Sequence, residues 1–596
     1  MSALSRELDF QLYECLQTEP VTRRDRYSGQ SREDYASILS AAERLAADFF
    51  APHYAKGDAN EPQFVDGAAR TIAETGEAWR AFAEAGFLSA HWDTEEGGIQ
   101  LPEPVFRAAM AHFFTANVAT MGYPFLSIGA ANLLRTFGSE DLKCLYLPAM
   151  ASGESAGTMA LTEPGQGSAL GDIKTVAEPA GDGSYRITGH KMFISGGDQD
   201  FTGNIVHMVL ARIKGAPAGV KGISLFLVPK FILRADGSKG ERNDVALAGL
   251  LHKMGWRNTT STVLSFGEQG GAIGWLLGEP NRGLAHMFQL MNEARIGVGL
   301  IAACLAYRAF TESLSYARER PQGRLPSCKD TLSPQVRIIE HADVKRLLLT
   351  QKAYAEGALA LCLQASAWFE DQHSHPDPLR RELSGHLLDL LTPIVKSWPS
   401  RYGCRSNDMA IQVLGGSGYT REYPLEQLYR DQRLNPIHEG TEAIHGLDLL
   451  GRKVRLADGA GFRAFLDMVR KEAQGAAQLF RASALALLQS ADGLETVTAK
   501  LLAAQSSQPD IALAHATEYL DAFGRVTLAW IWLKQARVAN QALQASADDA
   551  ATNYYRGKLQ AARHYFETEL PQVHVQFELL ASMPNTTVEM RDEFFL

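Results

Sequence analysis

A change of period between Ser155 and Phe266 limits the possible folds of this chain more than any other feature. Before it, apolar residues recur at helical spacing in Ser37–Phe50, Ala78–Leu88 and Ala130–Met150. Inside it lie the strand-like runs Thr158–Thr162, Ser184–Ser195, Ile205–Ile213, Gly222–Pro229 and Thr262–Phe266, separated by Gly, Pro, Asp and Asn. The links between successive runs are too short for parallel neighbours, so the block is expected to be mainly antiparallel. After Leu276 the helical period returns in Gly283–Arg318, Arg337–Asp371 and Leu383–Leu414. The glycine-containing charged stretch Gly451–Gly461 reads as a boundary. Beyond it, Phe462–Gln489, Thr496–Ala504, Ile511–Ala545 and Asn553–Ala581 are rich in Ala, Leu and Gln and predict a terminal helical bundle. The expected fold is mainly α with a central antiparallel β-domain, in the order helices, sheet, helices, plus a C-terminal bundle. The expected domains are 1–154, 155–276, 277–455 and 456–596.

Composition narrows the function. A chain of 596 residues exceeds one ordinary domain. With 46% hydrophobic and 21% charged residues it reads as an ordinary globular protein. A formal charge of −10 argues against a surface built for nucleic acid. Cys15, Cys144, Cys304, Cys328, Cys362 and Cys404 form no CxxC pair, which argues against a zinc site or disulfide framework and for reduced thiols in the cytoplasm. No metal site is expected. The start MSALSRELDF lacks the basic and apolar regions of a secretory signal, and no uncharged apolar stretch is expected to reach the length of a membrane span.

Five segments carry candidate chemistry. Met159–Ser168 is a strand end running into a loop with two glycines, a proline and hydroxyls, suited to a polar flat ring or a phosphate. Gly189–Gly197 is a strand whose alternation sets Phe193 and Ser195 on one face; on alternation alone Phe193 reads as core. Arg295 lies in an apolar helical run and needs a partner, either a phosphate-bearing ligand or a nearby carboxylate. Gln412–Tyr419 ends a helix in a glycine-rich loop. In His438-Glu439-Gly440-Thr441, a carboxylate stands beside a glycine that permits close backbone approach. By contrast, Gly297-Val298-Gly299-Leu300-Ile301-Ala302 matches GxGxxA but lies inside a helical run with no strand before it, so its glycines read as close helix packing.

In order and spacing these segments resemble the acyl-CoA dehydrogenase family from about Ser37 to Arg455. The family's TEPxxGS loop is similar to Thr162–Ser168, its GxKxxIxxG strand to Gly189–Gly197, its ILGGxGY segment to Val413–Tyr419 and its YEGT segment to His438–Thr441. The resemblance implies FAD held without a Rossmann fold, and a homodimer or homotetramer. It implies that Met159, Leu161, Thr162 and Ser168 line FAD, with Ser168 also touching substrate. Phe193 and Ser195 would flank the flavin ring, at a position where the family often has Trp for Phe193. Arg320, Gln412 and Gly416 would meet the FAD of a neighbouring subunit, and Thr441 the flavin side. Arg295 and Gly440 would lie near the acyl-CoA, and Glu439 would be the catalytic base. The chain departs from the family in Pro321-Gln322-Gly323-Arg324, where KTFGK is usual, and in His438, where Tyr is common. Some family members place the base directly before the long helix's arginine. That position is Ala294 here, and Glu293 is displaced by about 100° around a helix.

The implied reaction is FAD-dependent α,β-dehydrogenation of an acyl-CoA thioester to a trans-2-enoyl-CoA, with electrons passing to an electron-transfer flavoprotein. The segment beyond Arg455 is similar to a long bacterial branch of fatty acyl-CoA and 3-methylmercaptopropionyl-CoA dehydrogenases. A fatty acyl-CoA of β-oxidation is the leading expectation. The alternatives are 3-methylmercaptopropionyl-CoA, an oxygen-using acyl-CoA oxidase, a flavin-containing nucleic-acid-binding relative and a non-catalytic acyl-CoA binder.

Overall fold

The computed structural model describes residues 2–545 and 549–596, with the backbone alone at 288–291. Helices come first: α1 (Ala3–Asp9), α2 (Arg32–Leu45), α3 (Tyr54–Ala59), α4 (Ala73–Glu84), α5 (Glu103–Phe137) and α6 (Glu140–Ala151). A small hairpin, β1 (Gln63–Val65) and β2 (Ala68–Arg70), lies among them. The sheet region follows: β3 (Ser155–Ala160), β4 (Val176–Pro179), β5 (Tyr185–Ser195), β6 (Asn204–Ile213), β7 (Ile223–Pro229), β8 (Phe231–Leu233), β9 (Lys239–Arg242), β10 (Val245–Leu250), β11 (Ser261–Phe266) and β12 (Ala272–Leu277). Then come α7 (Gly283–Glu319), α8 (Ala342–Ser374), α9 (Pro378–Leu414), α10 (Leu425–Gln432) and α11 (Glu442–Gly451). The chain finishes with α12 (Ala460–Ala476), α13 (Arg481–Ala504), α14 (Pro509–Ala514), α15 (Ala516–Ala545), α16 (Asp549–His564), α17 (Gln572–Ser582) and α18 (Thr586–Glu589). The expected order of helices, sheet, helices and further helices is what the chain adopts.

Two compact units divide it. One comprises 33–102 and 112–294, the other the residues up to 32, 103–111 and 295–596.

The first unit is built on the sheet β10-β11-β5-β12-β7-β6-β3, with β4 beside β5 and β6. β6 is apolar on both faces, and alternation explains its packing. Val206, Met208 and Leu210 join Leu133, Leu134, Tyr146 and Met150 from the helices. Val209 and Ala211 join Ile187, Phe226, Val228 and Phe266 on the opposite face. The pairing is mostly antiparallel, but β3–β6 and β4–β6 are parallel. Short links exclude parallel pairing only between consecutive strands. β3 and β6 are separated by residues 161–203, enough chain for a crossover. The helical run expected over Ala130–Met150 is broken at Gly138-Ser139, where the Ser139 hydroxyl accepts from the Leu142 N–H at 3.4 Å and caps α6.

In the second unit α8 and α9 pair over their length. Gly299 of α7 lies against α9: a Cβ there would come within 2.1 Å of the Val395 carbonyl. The GxGxxA match is thus helix packing. The segment expected as one helix over Phe462–Gln489 is two, α12 and α13, parted at 477–480. Trp532 of α15 donates to the Ala353 carbonyl of α8 at 3.0 Å and seats α15 on α8. Beneath the surface, Lys558 of α16 meets Glu7 of α1 at 2.6 Å and Glu356 of α8 at 2.8 Å, all three buried. Among the described residues one segment, Asn292–Glu319, is long and apolar enough to cross a membrane by composition, contrary to expectation. In this fold 83% of its most apolar window is buried.

Candidate functional site

In the sheet unit the sequence-selected residues gather where β3 ends and β5 passes it. Met159 is in β3, Leu161 and Thr162 follow it, and all three are half-buried, whereas Ser168 is exposed in the loop. Glu163-Pro164-Gly165-Gln166 makes a tight turn: Glu163 and Gln166 exchange both backbone hydrogen bonds at 3.0 Å, and Gly165 supplies φ +85°. Glu163 is buried and anchors the loop. Its carboxylate accepts from the Lys174 N–H at 2.6 Å, the Thr175 N–H at 3.0 Å and the Lys191 ammonium at 2.8 Å. Lys191 also donates to the Leu161 carbonyl at 3.0 Å. Burial pulls the Lys191 pKa down to about 8, with Glu163 opposing that pull.

β5 does not keep strict alternation. Lys191 pairs with Leu264 and Ile194 with Thr262, so β5 carries one extra residue, a bulge. Phe193 sits in it at φ +58°, and its side chain is 62% exposed. The reading of Phe193 as core by alternation therefore fails, because the bulge resets the faces. Ile194 is the residue that enters the core, and Ser195 is half-buried. Glu293, the neighbour of the alternative base position, accepts from Asn132 at 3.0 Å.

In the other unit, Glu439 stands in the turn between α10 and α11, at φ +52°, followed by Gly440 at φ +91°. Gly440 precedes a helix rather than ending one. Thr441 caps α11, its hydroxyl accepting from the Ile444 N–H at 3.5 Å. Two side chains hold the turn. His445 Nε2 donates to the Glu439 carbonyl at 3.0 Å, and Lys396 Nζ from the middle of α9 donates to the Gly440 carbonyl at 2.6 Å. Burial drives the Glu439 carboxyl above its ordinary value, while Lys396 and Arg295 pull the other way. Burial also lowers Lys396 to about 7 and His438 to about 3, so His438 is neutral. Arg295 is buried and pairs with Asp448 of α11 at 2.9 Å. A carboxylate, one of the two partners considered from sequence, thus meets its guanidinium. Gln412 and Gly416 are exposed at the end of α9, and Arg320 is exposed just past α7. Tyr316 and Ser417 hydroxyls, 3.4 Å apart, bring the end of α7 to that glycine loop.

Comparison with known proteins decides the family. Residues 32–154 match the acyl-CoA dehydrogenase N-terminal domain, 158–267 the middle domain and 281–454 the C-terminal domain. Residues 465–591 match a domain described as acetyl-CoA dehydrogenase C-terminal like. The 3-methylmercaptopropionyl-CoA dehydrogenase of Ruegeria pomeroyi is 34% identical over 534 residues, 88% of this chain and 89% of that one. The broad-specificity linear acyl-CoA dehydrogenase FadE5 of Mycobacterium tuberculosis is 33% identical over 610 residues, 99% of each. The chain belongs to the acyl-CoA dehydrogenase family. Its fold is shared with ACDH-11 of Caenorhabditis elegans in complex with C11-CoA, at TM-score 0.73 and 19% identity, over 96% of this chain and 91% of that one.

Members of this family are FAD-dependent oxidoreductases acting on acyl-CoA. The residues of this acyl-CoA dehydrogenase fit such a cofactor. Gly167 and Gly416 have neither a left-handed φ nor any neighbour within 4 Å of a built Cβ. The chain's own packing does not require glycine there, and the open space leaves room for close approach of another molecule. An exposed, conformationally strained Phe193 likewise offers a ring face to something outside the chain. Sequence reasoning missed Lys396, His445 and the Glu163–Lys191 pair. Lys396 had left a signal: it is the lone charge in the apolar run Leu390–Trp398. His445 had none, because its role depends on the turn folding back on α11.

Proposed function

We propose that this acyl-CoA dehydrogenase oxidises linear fatty acyl-CoA thioesters to trans-2-enoyl-CoA, with Glu439 as the base. The Glu439 turn carries this reading: a carboxylate made more basic by burial, on a backbone held at both following carbonyls. Glu439 takes the α-proton of the thioester. Among the described residues no acceptor takes the Glu439 N–H, which leaves it to polarise the thioester carbonyl as negative charge develops. FAD, when bound, would supply the hydride-accepting chemistry for the β-hydrogen. Met159, Leu161, Thr162, Ser168, Phe193, Ser195 and Thr441 would hold it, and Arg320, Gln412 and Gly416 would serve the FAD of a neighbouring copy. Ser168, Gly440 and Arg295 are assigned to the acyl-CoA, Arg295 through its pairing with Asp448. In this reading the enzyme works as a cytoplasmic homo-oligomer with segments 1–154, 155–276, 277–455 and 456–596 as domains, and passes electrons to an electron-transfer flavoprotein.

Linear acyl-CoA is preferred because the match to the broad-specificity FadE5 spans 99% of both chains. The second reading, 3-methylmercaptopropionyl-CoA, is supported by the 34% identity to the Ruegeria pomeroyi enzyme. Anaerobic mixing with thioesters of graded length, and with 3-methylthiopropionyl-CoA, ranks the two by the rate of flavin bleaching. Glu439→Gln is expected to keep FAD and lose bleaching by a factor on the order of 10² to 10⁴. Native bleaching in that variant would remove Glu439 from the mechanism.

A further inference from the structure

The turn bearing Glu439 is costly to hold. Two successive residues, Glu439 and Gly440, adopt left-handed φ. For a non-glycine residue this costs about 1 kcal/mol or more and persists only where surroundings impose it. Gly440 cannot be replaced without a collision, since a Cβ there would lie 2.9 Å from His445 Nε2. The imposing groups are two side chains from different elements. His445, on α11, donates to the Glu439 carbonyl. Because that carbonyl only accepts, the ring's proton is on Nε2. Its Nδ1 is buried with no hydrogen-bond partner among the described residues, and burial holds the ring neutral. Lys396, on α9 and fully buried, reaches the next carbonyl, that of Gly440.

We infer that Lys396 and His445 are positioning residues: they clamp the two carbonyls that follow the base and so fix its direction, and the Lys396 ammonium brings its charge to the residue next to Glu439. A buried lysine has a cost that a methionine of similar size does not, and here its ammonium answers the Gly440 carbonyl. The charged groups facing Lys396 are Glu439 in the turn, Glu442 at the start of α11 and Arg295 from α7. His438 and His445 are neutral neighbours. Asp448 is engaged by Arg295. Arg401 of α9 lies between Glu442 and Asp521 of α15, 4.0 Å from each. Of the two cations that face Glu439, Arg295 is paired with Asp448, and Lys396 is bound to the turn itself.

The inference rests on Glu439 being the base, and the test separates the two. Holoenzyme variants Lys396→Met, Lys396→Arg, His445→Gln and Glu439→Gln are compared for kcat, KM, the isotope effect with α-deuterated acyl-CoA and the pH profile of turnover. Lys396→Met is expected to lose about 10²-fold in kcat, as misplacement of a reacting group does, with KM little changed. Its α-deuterium effect should rise, and the acid limb of its profile should move up by about one pH unit as the stabilising cation is lost. Lys396→Arg should keep the acid limb near its native position and recover part of kcat. His445→Gln should lower kcat and raise the isotope effect without moving that limb. Native kcat and an unmoved acid limb in Lys396→Met overturn the inference, as does equal damage in Lys396→Met and Lys396→Arg with no pH shift. Should Lys396→Met fail to retain FAD, Lys396→Arg and His445→Gln decide: native kcat and isotope effect in both count against the clamp. Turnover in Glu439→Gln would defeat the reading of the base itself, whatever the clamp variants do.

Discussion

Left-handed backbone at non-glycine residues occurs in two of the chemistry-bearing segments as well as elsewhere in the chain: Phe193 has φ +58° and Glu439 φ +52°. Each conformation costs on the order of 1 kcal/mol and needs a compensating constraint. For Phe193 the constraint is the β5 bulge, yet most of its ring remains exposed. Phe193→Gly should therefore leave the thermal midpoint of the apoprotein within a few degrees of native while weakening FAD retention on dialysis. A fall in midpoint with unchanged FAD retention would make Phe193 a packing residue. Lys396 makes a pH prediction at the same scale. Its folded pKa, about 7, lies below its unfolded value of about 10.5. Between these values the unfolded chain binds more protons, so this group makes stability rise with pH from 7 towards 10.5. Below pH 7 its full cost is present. Urea unfolding at pH 7 and pH 9 should show the stability gain of Lys396→Met over native shrinking, or its loss growing, as pH rises.

At the scale of elements, α11 carries the base turn, and its placement is set by what lies behind it. Gly446 of α11 touches the backbone of α15, where a Cβ would fall 2.5 Å from the Ala516 carbonyl. Gly446→Val should push α11 away, costing about 1–3 kcal/mol by overpacking and reducing kcat through His445, with FAD still bound. Native kcat in a destabilised Gly446→Val would disconnect α15 from the base turn. Such contacts explain the limits of the sequence reading. Periodicity located the long helices α7, α8 and α9 within a few residues, because each is apolar and buried over a long continuous stretch. It missed the break at 477–480 between α12 and α13. It also misjudged Phe193, because a bulge inserts a residue that no local signal announces.

For the whole molecule, the chain's first helix and its last bundle are joined by buried charge. Lys558 satisfies Glu7 and Glu356 together, and Gln535 lies within 3.2 Å. Removing one partner of such a group leaves others buried and unpaired, at about 3–5 kcal/mol. Lys558→Met should lower the unfolding midpoint and expose the residues up to 32 to limited proteolysis. An unchanged cleavage pattern would show that α1 is held by apolar packing alone.

The sequence by itself determined the order of textures, the family and the residue types of the chemistry: a carboxylate beside a glycine, a glycine-rich loop and a lone arginine in an apolar helix. These are local properties of period and composition, legible wherever burial imposes a pattern. The tertiary structure alone decided which side chains answer one another. It paired Arg295 with Asp448, 153 residues away, and Lys191 with Glu163. It also brought Lys396 to the carbonyl of Gly440, 44 residues on. A buried charge announces that it needs a partner, because desolvation makes an unpaired one too costly. Which partner it finds depends on packing between distant elements, and no local pattern encodes that.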